Sequence, residues 1–278
     1  SELKALADMS LVDQFPPGAI SSIDIATNEI KFQQYYKFDY PRTHISYPLI
    51  KKRIRSLLIK SVEDRLMTTE VPVGSFLSGG LDSSLVTSIA IRKKPDMHVF
   101  TIGVDENSSD VQAAKVVAKY INVKSGHHHI VYVKSEDVIA ALPDIIKTLE
   151  TYDTTTIRAS SYQYFLAKYI SENTDVIPLL TGECIDEFLS GYQYNKDAPS
   201  PEALHEDAVM RTKELHRFDL LRSDRTTARW GLEVRVPFAQ KDLMGLILSI
   251  DPKVRMSKNS MEKMILRQSF ESFLPKEI

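Results

Sequence analysis

The stretch "VPVGSFLSGGLDSSLVTSIA", residues 71–90, places two adjacent glycines between two apolar runs. The first run, residues 73–77, is short and lies between Pro72 and the glycines, which predicts a buried strand. The second run begins at Leu81, and its apolar residues recur at the spacing of one helical face. The glycines are therefore predicted to form a strand-to-helix turn.

Such a turn is suited to binding an anion. The first N–H groups of a helix have no partner within the helix, and they lie at the positive end of its dipole. Gly79 and Gly80 allow the backbone to bend and to approach a ligand closely, while Ser78, Ser83 and Ser84 add hydroxyl donors. Phosphate is the expected ligand.

Asp82 distinguishes this turn from the common phosphate-binding motifs. The stretch lacks the Lys-Ser/Thr of a P-loop and the glycine spacing of a dinucleotide fingerprint. A carboxylate beside phosphate oxygens is favourable when a divalent cation bridges them, and Mg²⁺ is commonly held in this way. The alternative is an ordinary turn in which Asp82 caps the helix.

The bulk composition excludes several classes of protein. The 278-residue chain has a net charge of −2, and its basic residues are scattered, so neither nucleic acid nor an anionic membrane is an expected partner. Its apolar runs fall short of the roughly 20 residues of a membrane span, and its first residues lack the features of a signal peptide. One cysteine excludes an internal disulfide framework. We expect a cytoplasmic protein.

The rest of the chain alternates between strand and helix patterns. Residues 97–104, 127–133 and 175–180 are predicted strands, and residues 110–121 and 135–150 are predicted helices, the latter with Ser135 as N-cap. The pattern from Leu49 to Leu66 is also helical, and the last third is mostly helical. This order predicts an α/β fold, a parallel sheet wound with helices and followed by a helical C-terminal part.

A second group of acids follows the strand at 175–180. The segment "TGECIDEFLSGY", residues 181–192, contains Glu183, Asp186 and Glu187. Ligands of parallel sheets bind at the carboxyl ends of the strands, so Asp82 and Asp186 are predicted to share a metal ion. The run His127–His129 is not assigned to a metal site, because neighbouring side chains on a strand point to opposite faces.

Four motifs in this order carry a family resemblance: "SGGLDSS" (78–84), "ETYDTTTIRAS" (150–160), "TGECIDEFLSGY" (181–192) and "WGLEVRVPF" (230–238). Together they resemble the synthetase domain of glutamine-dependent asparagine synthetases, within the N-type ATP pyrophosphatases of adenine nucleotide alpha hydrolase-like fold. The resemblance implies that ATP activates the side-chain carboxylate of aspartate as β-aspartyl-AMP, with Mg²⁺ and release of pyrophosphate. Ammonia, normally derived from glutamine, then displaces AMP. A homodimer is one assembly that the resemblance allows.

The resemblance also implies roles for individual residues. Pyrophosphate and Mg²⁺ are expected at Ser78, Gly79, Gly80, Asp82 and Ser83, with Asp186 as the second metal carboxylate. The remaining nucleotide contacts are expected at Leu77, Ile102, Thr181 and Gly182. The catalytic residues are expected to be Glu183, for the adenylate and ammonia, and Thr155 and Arg158, for aspartate and the transition state.

Three positions depart from the family pattern. Thr181 stands where the family usually has serine and keeps the hydroxyl, whereas Cys184 and Ile185 stand where it usually has small residues. If position 184 requires a positive φ, the cysteine side chain brings backbone strain of about 1 kcal/mol or more. Because no base precedes it in the sequence, Cys184 is interpreted as a packed residue and not as a nucleophile.

The resemblance also divides the chain. Residues 1–40 are interpreted as the remnant of an N-terminal glutaminase domain and linker, and residues 41–278 as the synthetase domain, truncated at its C-terminus. The glutaminase domain would be the upstream partner that supplies ammonia. Two other functions remain open: a relative that adenylates another carboxylate, as a β-lactam-forming synthetase does, and a non-catalytic ATP-binding module.

Overall fold

The computed structural model describes residues 15–256 and 261–278. Two compact units divide between Pro41 and Arg42. In the first unit, an antiparallel hairpin pairs β1 (Ala19–Ile23) with β2 (Ile30–Gln34). The assignment of this segment to a glutaminase domain stays a prediction, as does the C-terminal truncation, and residues 1–14 lie outside the described part of the chain.

The second unit contains a parallel sheet. Its described strands are β3 (Gly74–Phe76), β4 (His98–Gly103), β5 (His128–Tyr132), β6 (Pro178–Leu180) and β7 (Glu233–Arg235). They lie in the order β5-β4-β3-β6-β7, and every neighbouring pair is parallel. The predicted α/β class with a parallel sheet is confirmed.

Helices connect the strands and follow them. They are α1 (Tyr47–Met67), α2 (Leu81–Lys93), α3 (Ser109–Tyr120), α4 (Ser135–Leu149), α5 (Thr154–Asn173), α6 (Ile185–Leu189), α7 (Pro201–Glu214), α8 (Asp219–Ala228), α9 (Lys241–Ser249), α10 (Pro252–Arg255) and α11 (Met264–Ser269). Within the described residues, none of these helices is both long and apolar enough to cross a bilayer.

The strand order creates a crevice at one edge of the sheet. Strands β4 and β5 extend the sheet on one side of β3, whereas β6 and β7 extend it on the other. The order of the strands therefore reverses between β3 and β6, and parallel α/β sheets bind ligands at the carboxyl ends of the strands at such a point. The glycine turn follows β3 and the acidic segment follows β6, so both lie at this crevice.

Both faces of the sheet are buried. Val99 packs with α1, α2 and α3 in one hydrophobic cluster, while its neighbour Phe100 packs with Leu166 and Ile170 of α5 in another. Successive strand residues point to opposite faces, so burial of both residues requires helices on both sides. This packing explains the continuous apolar runs of the predicted strands.

Some local expectations were wrong. Ser135 is the first residue of α4 and Lys134 takes the N-cap position, with no side-chain cap. Leu49 begins the apolar pattern of the predicted helix but is 40% exposed, whereas Ile50, Ile54 and Leu58 of the same pattern are buried. The strand β7 lies in a segment for which the sequence predicts no strand, because three residues are too few to show an alternation.

Candidate active site

The glycine turn is closed by its own serines. Ser83 Oγ lies 2.8 Å from Ser78 Oγ and accepts a hydrogen bond of 3.1 Å from the Ser78 backbone N–H. The Gly80 N–H donates to Ser78 Oγ at 3.3 Å, and Gly80 is the N-cap of α2. The first turn of α2 therefore faces the crevice with its N–H groups beside two hydroxyls, an arrangement that binds phosphate.

Gly79 allows the turn to pack closely on a neighbouring helix. Its φ is +83°, and a Cβ there would lie 2.5 Å from Ala113 Cβ and from the Ala114 backbone nitrogen in α3. A larger residue would require both a strained backbone and displacement of α3. Gly79 thus allows the turn to pack directly against α3.

Gly182 brings the two strand ends into contact. A Cβ at this position would lie 2.5 Å from the Ser83 backbone nitrogen and 2.7 Å from the Asp82 carbonyl carbon. The segment after β6 therefore runs directly against the first turn of α2. As a result, Asp82 and Asp186 face one another across the crevice.

Lys263 lies between these two acids. Its Nζ is 2.5 Å from Asp82 Oδ2 and 2.7 Å from Asp186 Oδ1, and its side chain is 8% exposed. Burial alone would lower the pKa of Lys263, but the two carboxylates outweigh burial and raise it. Burial raises the pKa of Asp82 to about 6 although the Lys263 ammonium opposes this shift. The site therefore contains two convergent carboxylates and one cation.

The acids also fit a divalent metal ion. Asp82 Oδ1 is buried and has no hydrogen-bond partner among the described residues. An orphaned carboxylate oxygen beside a second carboxylate and a phosphate-binding turn is a donor set of the kind that Mg²⁺ uses. The ion would be held by Asp82 and Asp186 together with ligand phosphates.

A second charged group surrounds Glu183. Arg222 Nη2 lies 2.8 Å from Glu183 Oε2 and 3.0 Å from Asp219 Oδ1, so that one guanidinium joins two carboxylates. Burial raises the pKa of Glu183 and Arg222 opposes the shift. Because Arg222 is pinned by both acids, it holds the Glu183 carboxylate in one orientation.

Glu187 has a separate partner in the same wall. Its Oε1 accepts a 2.5 Å hydrogen bond from the Tyr192 hydroxyl, and the residue is 4% exposed. Burial raises the pKa of Glu187 to about 8, with the Tyr192 hydrogen bond opposing and Asp219 reinforcing the shift. The acids of residues 183–187 thus have distinct surroundings, although they occupy one turn and one short helix.

The remaining predicted residues lie at the start of α5. Asp153 is the N-cap, and its side chain accepts a hydrogen bond of 2.7 Å from the Thr156 backbone N–H. Thr155 and Arg158 follow in the first turn and are exposed. Their side chains line the crevice together with Asp153. A guanidinium there is free to meet a carboxylate or phosphate ligand.

One cavity of about 1240 Å³ joins these groups. The predicted residues that line it are Leu77, Ser78, Gly80, Asp82, Ser83, Ile102, Thr155, Arg158, Thr181, Gly182, Glu183 and Asp186. Gly79 is outside this lining and packs on α3 instead. The volume exceeds the usual upper range of about 1,000 Å³ for a small-molecule pocket, which suits a nucleotide plus a second substrate.

Sequence reasoning missed Lys263, Arg222, Asp219 and Tyr192. None of them lies in a predicted strand-end motif except Tyr192, which closes "TGECIDEFLSGY". Lys263 and Arg222 come from the helical C-terminal part, where basic residues are frequent and have no distinguishing pattern. The available signal was an unbalanced charge, since four predicted acids (Asp82, Glu183, Asp186 and Glu187) and phosphate would require nearby cations.

Cys184 adopts the conformation that the sequence analysis considered. Its φ is 79°, at the N-terminal boundary of α6, and the side chain is buried. Burial raises the pKa of the thiol well above its usual value, so the neutral form persists and does not act as a nucleophile. Cys184 is therefore a packed residue with a strained backbone.

The histidine run distributes its side chains over two environments. His128 Nε2 lies 2.9 Å from Thr101 Oγ1, while His129 Nε2 lies 2.8 Å from Nδ1 of His98 on the neighbouring strand. His127 stacks on His98 with ring centroids 4.2 Å apart. Within the described ranges, no set of three or more metal-ligating side chains forms a candidate metal site.

Comparison with known proteins adds to this geometry. The family model "Asparagine synthase" matches residues 53–202 and 195–278. The chain is 40% identical to a mimivirus protein named probable asparagine synthetase [glutamine-hydrolyzing], over 100% of this chain and 54% of that protein. It is also 40% identical to asparagine synthetase [glutamine-hydrolyzing] of Cricetulus griseus, over 96% of this chain and 51% of that protein. The chain thus spans about half the length of these curated relatives.

A search of solved structures found an NAD⁺ synthetase from Burkholderia pseudomallei at 11% identity and a TM-score of 0.37, covering 83% of this chain and 93% of that chain. A score of this size does not establish a common fold.

Proposed function

The chain belongs to the asparagine synthase family, and from this premise we propose that it is the ATP-using part of an asparagine synthetase. In this proposal the reaction joins ammonia to the side-chain carboxyl of aspartate, at the cost of cleaving ATP to AMP and pyrophosphate. The synthetase segment is residues 41–278, the compartment is the cytoplasm, and the upstream partner is a glutaminase domain that releases ammonia from glutamine.

The observation that carries the proposal is the meeting of Asp82, Asp186 and Lys263 at the phosphate-binding turn. One ammonium lies 2.5 Å from the first carboxylate and 2.7 Å from the second, and Asp82 has a buried oxygen without a hydrogen-bond partner among the described residues. In this proposal these groups form a site for a polyphosphate and its metal ion. A simple helix cap would need neither the second carboxylate nor the lysine. The resemblance and the geometry therefore support the same ligand.

The first step forms a bond between a carboxylate oxygen of aspartate and the α-phosphorus of ATP, while the bond from that phosphorus to pyrophosphate breaks. The two reactants are both anions, so their approach is the main barrier that binding must lower. The Ser78 and Ser83 hydroxyls and the N–H groups of α2 hold the departing pyrophosphate. Mg²⁺, when bound by Asp82 and Asp186, neutralises the negative charge on the phosphates.

Lys263 gives the site a cation of its own. Its ammonium contacts both carboxylates that would hold the metal ion. In this proposal it moves from them to a phosphate oxygen when the metal ion and the nucleotide bind. Arg158, exposed at the start of α5, binds the aspartate carboxylate and directs it toward the α-phosphate. Thr155 lies beside it and orients the same substrate.

In the second step ammonia attacks the carbonyl carbon of β-aspartyl-AMP, and AMP leaves with the electron pair of the broken carbon–oxygen bond. The attacking nitrogen must lose a proton. Glu183 is suited to hold that proton, because burial raises its pKa and Arg222 fixes its orientation. Transfer of this proton to Glu183, which lies in the largely buried wall of the cavity, completes the formation of the amide.

The test is pyrophosphate release from ATP and Mg²⁺, with and without aspartate, followed by detection of asparagine after addition of ammonia. Release that depends on aspartate supports the proposal. Release with another carboxylate acceptor in its place would indicate a different adenylating synthetase, and ATP binding without release would indicate a binding module.

The substitution Asp82→Asn is expected to lower pyrophosphate release by about 10²-fold, because it weakens the hold on Mg²⁺ and removes a partner of Lys263. Asp64→Asn is a matched control, since Asp64 pairs with Lys60 on the exposed surface of α1. If the two variants release pyrophosphate at equal rates, Asp82 acts only as a helix cap. Melting temperatures of both variants show whether either loss is due to unfolding.

A further inference from the structure

A buried arginine lies behind the acidic wall of the active site. Arg255, the last residue of α10, is 4% exposed and forms no ion pair at salt-bridge distance within the described residues. Its Nη1 donates a 3.0 Å hydrogen bond to the carbonyl of Phe188, and its Nη2 lies 2.8 Å from His205 Nδ1. Its Nε is buried without a hydrogen-bond partner in the described part of the chain. Burying a guanidinium costs free energy unless its hydrogen bonds compensate for the lost hydration, so the two hydrogen bonds of Arg255 are expected to matter for the structure.

The carbonyl that Arg255 binds belongs to the helix of the active site. Phe188 lies in α6, which begins at Ile185 and ends at Leu189. Asp186 and Glu187 occupy the same helix, and Asp186 contacts Lys263. A helix of little more than one turn has few internal hydrogen bonds, so its position depends on contacts with its surroundings. A cation at its C-terminal carbonyls is also favourable electrostatically.

The protonation state of His205 determines whether its ring can accept the hydrogen bond from Arg255. A guanidinium has only donors, so His205 Nδ1 must accept the hydrogen bond and the neutral ring must carry its proton on Nε2. Protonation of Nδ1 would remove the acceptor and place two cations in contact. The charged groups that act on His205 are Arg255, Arg42 and, from its own helix, Glu206; burial and the two arginines lower its pKa, while Glu206 opposes them.

We propose that Arg255 is a positioning residue that holds α6, and with it Asp186 and Glu187, in place, and that neutral His205 completes this contact. The inference goes beyond the active-site residues of the proposed function and rests on that function only for its catalytic consequence. Arg255 does not line the cavity and acts through α6. In the sequence, Arg255 precedes Lys263, which contacts Asp186 of the same helix.

The test is amide hydrogen exchange in the segment 185–190, corrected for the intrinsic effect of pH, in the protein without substrate. Arg255→Met is expected to speed exchange there about ten-fold, and Arg255→Lys to speed it less, because lysine keeps the charge but not both hydrogen bonds. In the wild type, lowering the pH from about 7.5 to about 4.5 should also speed exchange in this segment, because the pKa of His205 lies below its ordinary value. Asp82 and Glu187, with pKa values of about 6 and about 8, titrate over part of the same range. His205→Gln, whose amide oxygen can still accept but does not titrate, should therefore remove only the part of the pH dependence that His205 causes.

Matched controls are Arg217→Met and His216→Gln, two exposed positions in the turn that follows α7. They should leave exchange at 185–190 and its pH dependence as in the wild type. The proposal is overturned if Arg255→Lys lowers the melting temperature without affecting exchange at 185–190, or if His205→Gln retains the wild-type pH response. If Arg255→Met does not fold, Arg255→Lys and His205→Gln still decide the question.

The exchange experiment is independent of catalysis. If the wild type releases no pyrophosphate, the proposed function fails while the effect of Arg255 on α6 is still measured. If pyrophosphate release is found, Arg255→Lys should raise the KM for MgATP about ten-fold. The KM of the wild type should also rise as the pH falls. A fall in the apparent kcat that follows only the folded fraction, with KM unchanged, would indicate a structural residue and contradict the proposal.

Discussion

At the scale of single residues, Cys184 shows how a departure from a family pattern is accommodated. The cysteine occupies a positive φ of 79° and is 2% exposed, so it combines an unfavourable backbone with a favourable buried side chain. The strain of about 1 kcal/mol and the burial of a small apolar group are similar in size and opposite in sign. The position therefore tolerates cysteine although glycine fits its backbone better.

This balance predicts an unusual order of variants. Cys184→Ala should lower the free energy of unfolding by about 1 kcal/mol, because it loses the sulfur and keeps the strain. Cys184→Gly should be more stable than Cys184→Ala, whereas at an ordinary helical position glycine is worse than alanine by about 0.5–1 kcal/mol. Urea unfolding measures both, with Ala118→Gly in α3 as the ordinary case. If alanine is the better residue at 184, the positive φ carries no strain.

The acids of the site were predictable one by one, and their partners were not. Asp82 and Asp186 follow strand ends in motifs, so their chemistry and approximate location can be derived from local patterns. Lys263 and Arg222 are two of many charged residues in the helical part, and only the packing of that part shows that they face those acids. A charge in the sequence does not state which opposite charge it will meet.

At the scale of elements, the N-terminus of α5 combines a helix cap with residues that line the cavity. The Asp153 carboxylate accepts the Thr156 N–H, and hydrogen bonding to Thr156 lowers the pKa of Asp153. The cap sets where the helix begins and hence where Thr155 and Arg158 project. A second helix, α7, has an N-cap of the same kind in Ser200, which accepts from the Ala203 N–H at 3.1 Å.

These two caps make a matched pair. Asp153→Ala and Ser200→Ala should each lower the free energy of unfolding by about 1 kcal/mol. Asp153→Ala alone should also raise the KM for aspartate several-fold, because the first turn of α5 loses its fixed position. Asp153→Asn, which still caps, should restore most of that loss. An equal KM in Asp153→Ala and the wild type would separate the cap from the substrate site.

The type of an element, helix or strand, could be predicted where its apolar pattern extended over several residues. The strands at 97–104 and 127–133 and the helices at 110–121 and 135–150 occur within a few residues of their predicted positions. β7 was missed, because its three residues are defined by pairing with β6 and not by their own pattern. The cap of α4 was also wrong, because a serine near a helix start satisfies the local rule at more than one position.

At the scale of the whole molecule, the described hydrophobic clusters all belong to the second unit. They contain no residue before Ile45. In the hairpin of the first unit, by contrast, Ile20, Ile23 and Phe32 are more than half exposed. A two-stranded hairpin contributes little independent stability. The second unit should therefore fold without the first.

Removing residues 1–41 is accordingly expected to change the melting temperature by less than about 3 °C and to preserve a single cooperative transition. Differential scanning calorimetry of the two chains measures this, and removal of residues 1–14 serves as a control for the effect of shortening. Loss of the cooperative transition in the chain that begins at Arg42 would show that the first unit belongs to the core. Preserved binding of MgATP would assign the nucleotide site to the second unit alone.

The sequence by itself determined the alternation of strands and helices, the glycine turn after β3 and the acids at two strand ends, because each depends on residues close together in the chain. Only the tertiary structure decided the strand order that brings β3 beside β6, the contact of Gly182 with the turn, and the cations that meet the acids. These features depend on which distant segments pack together. The interior is close-packed, so that choice is made by the shape and burial of the whole chain and not by any one motif.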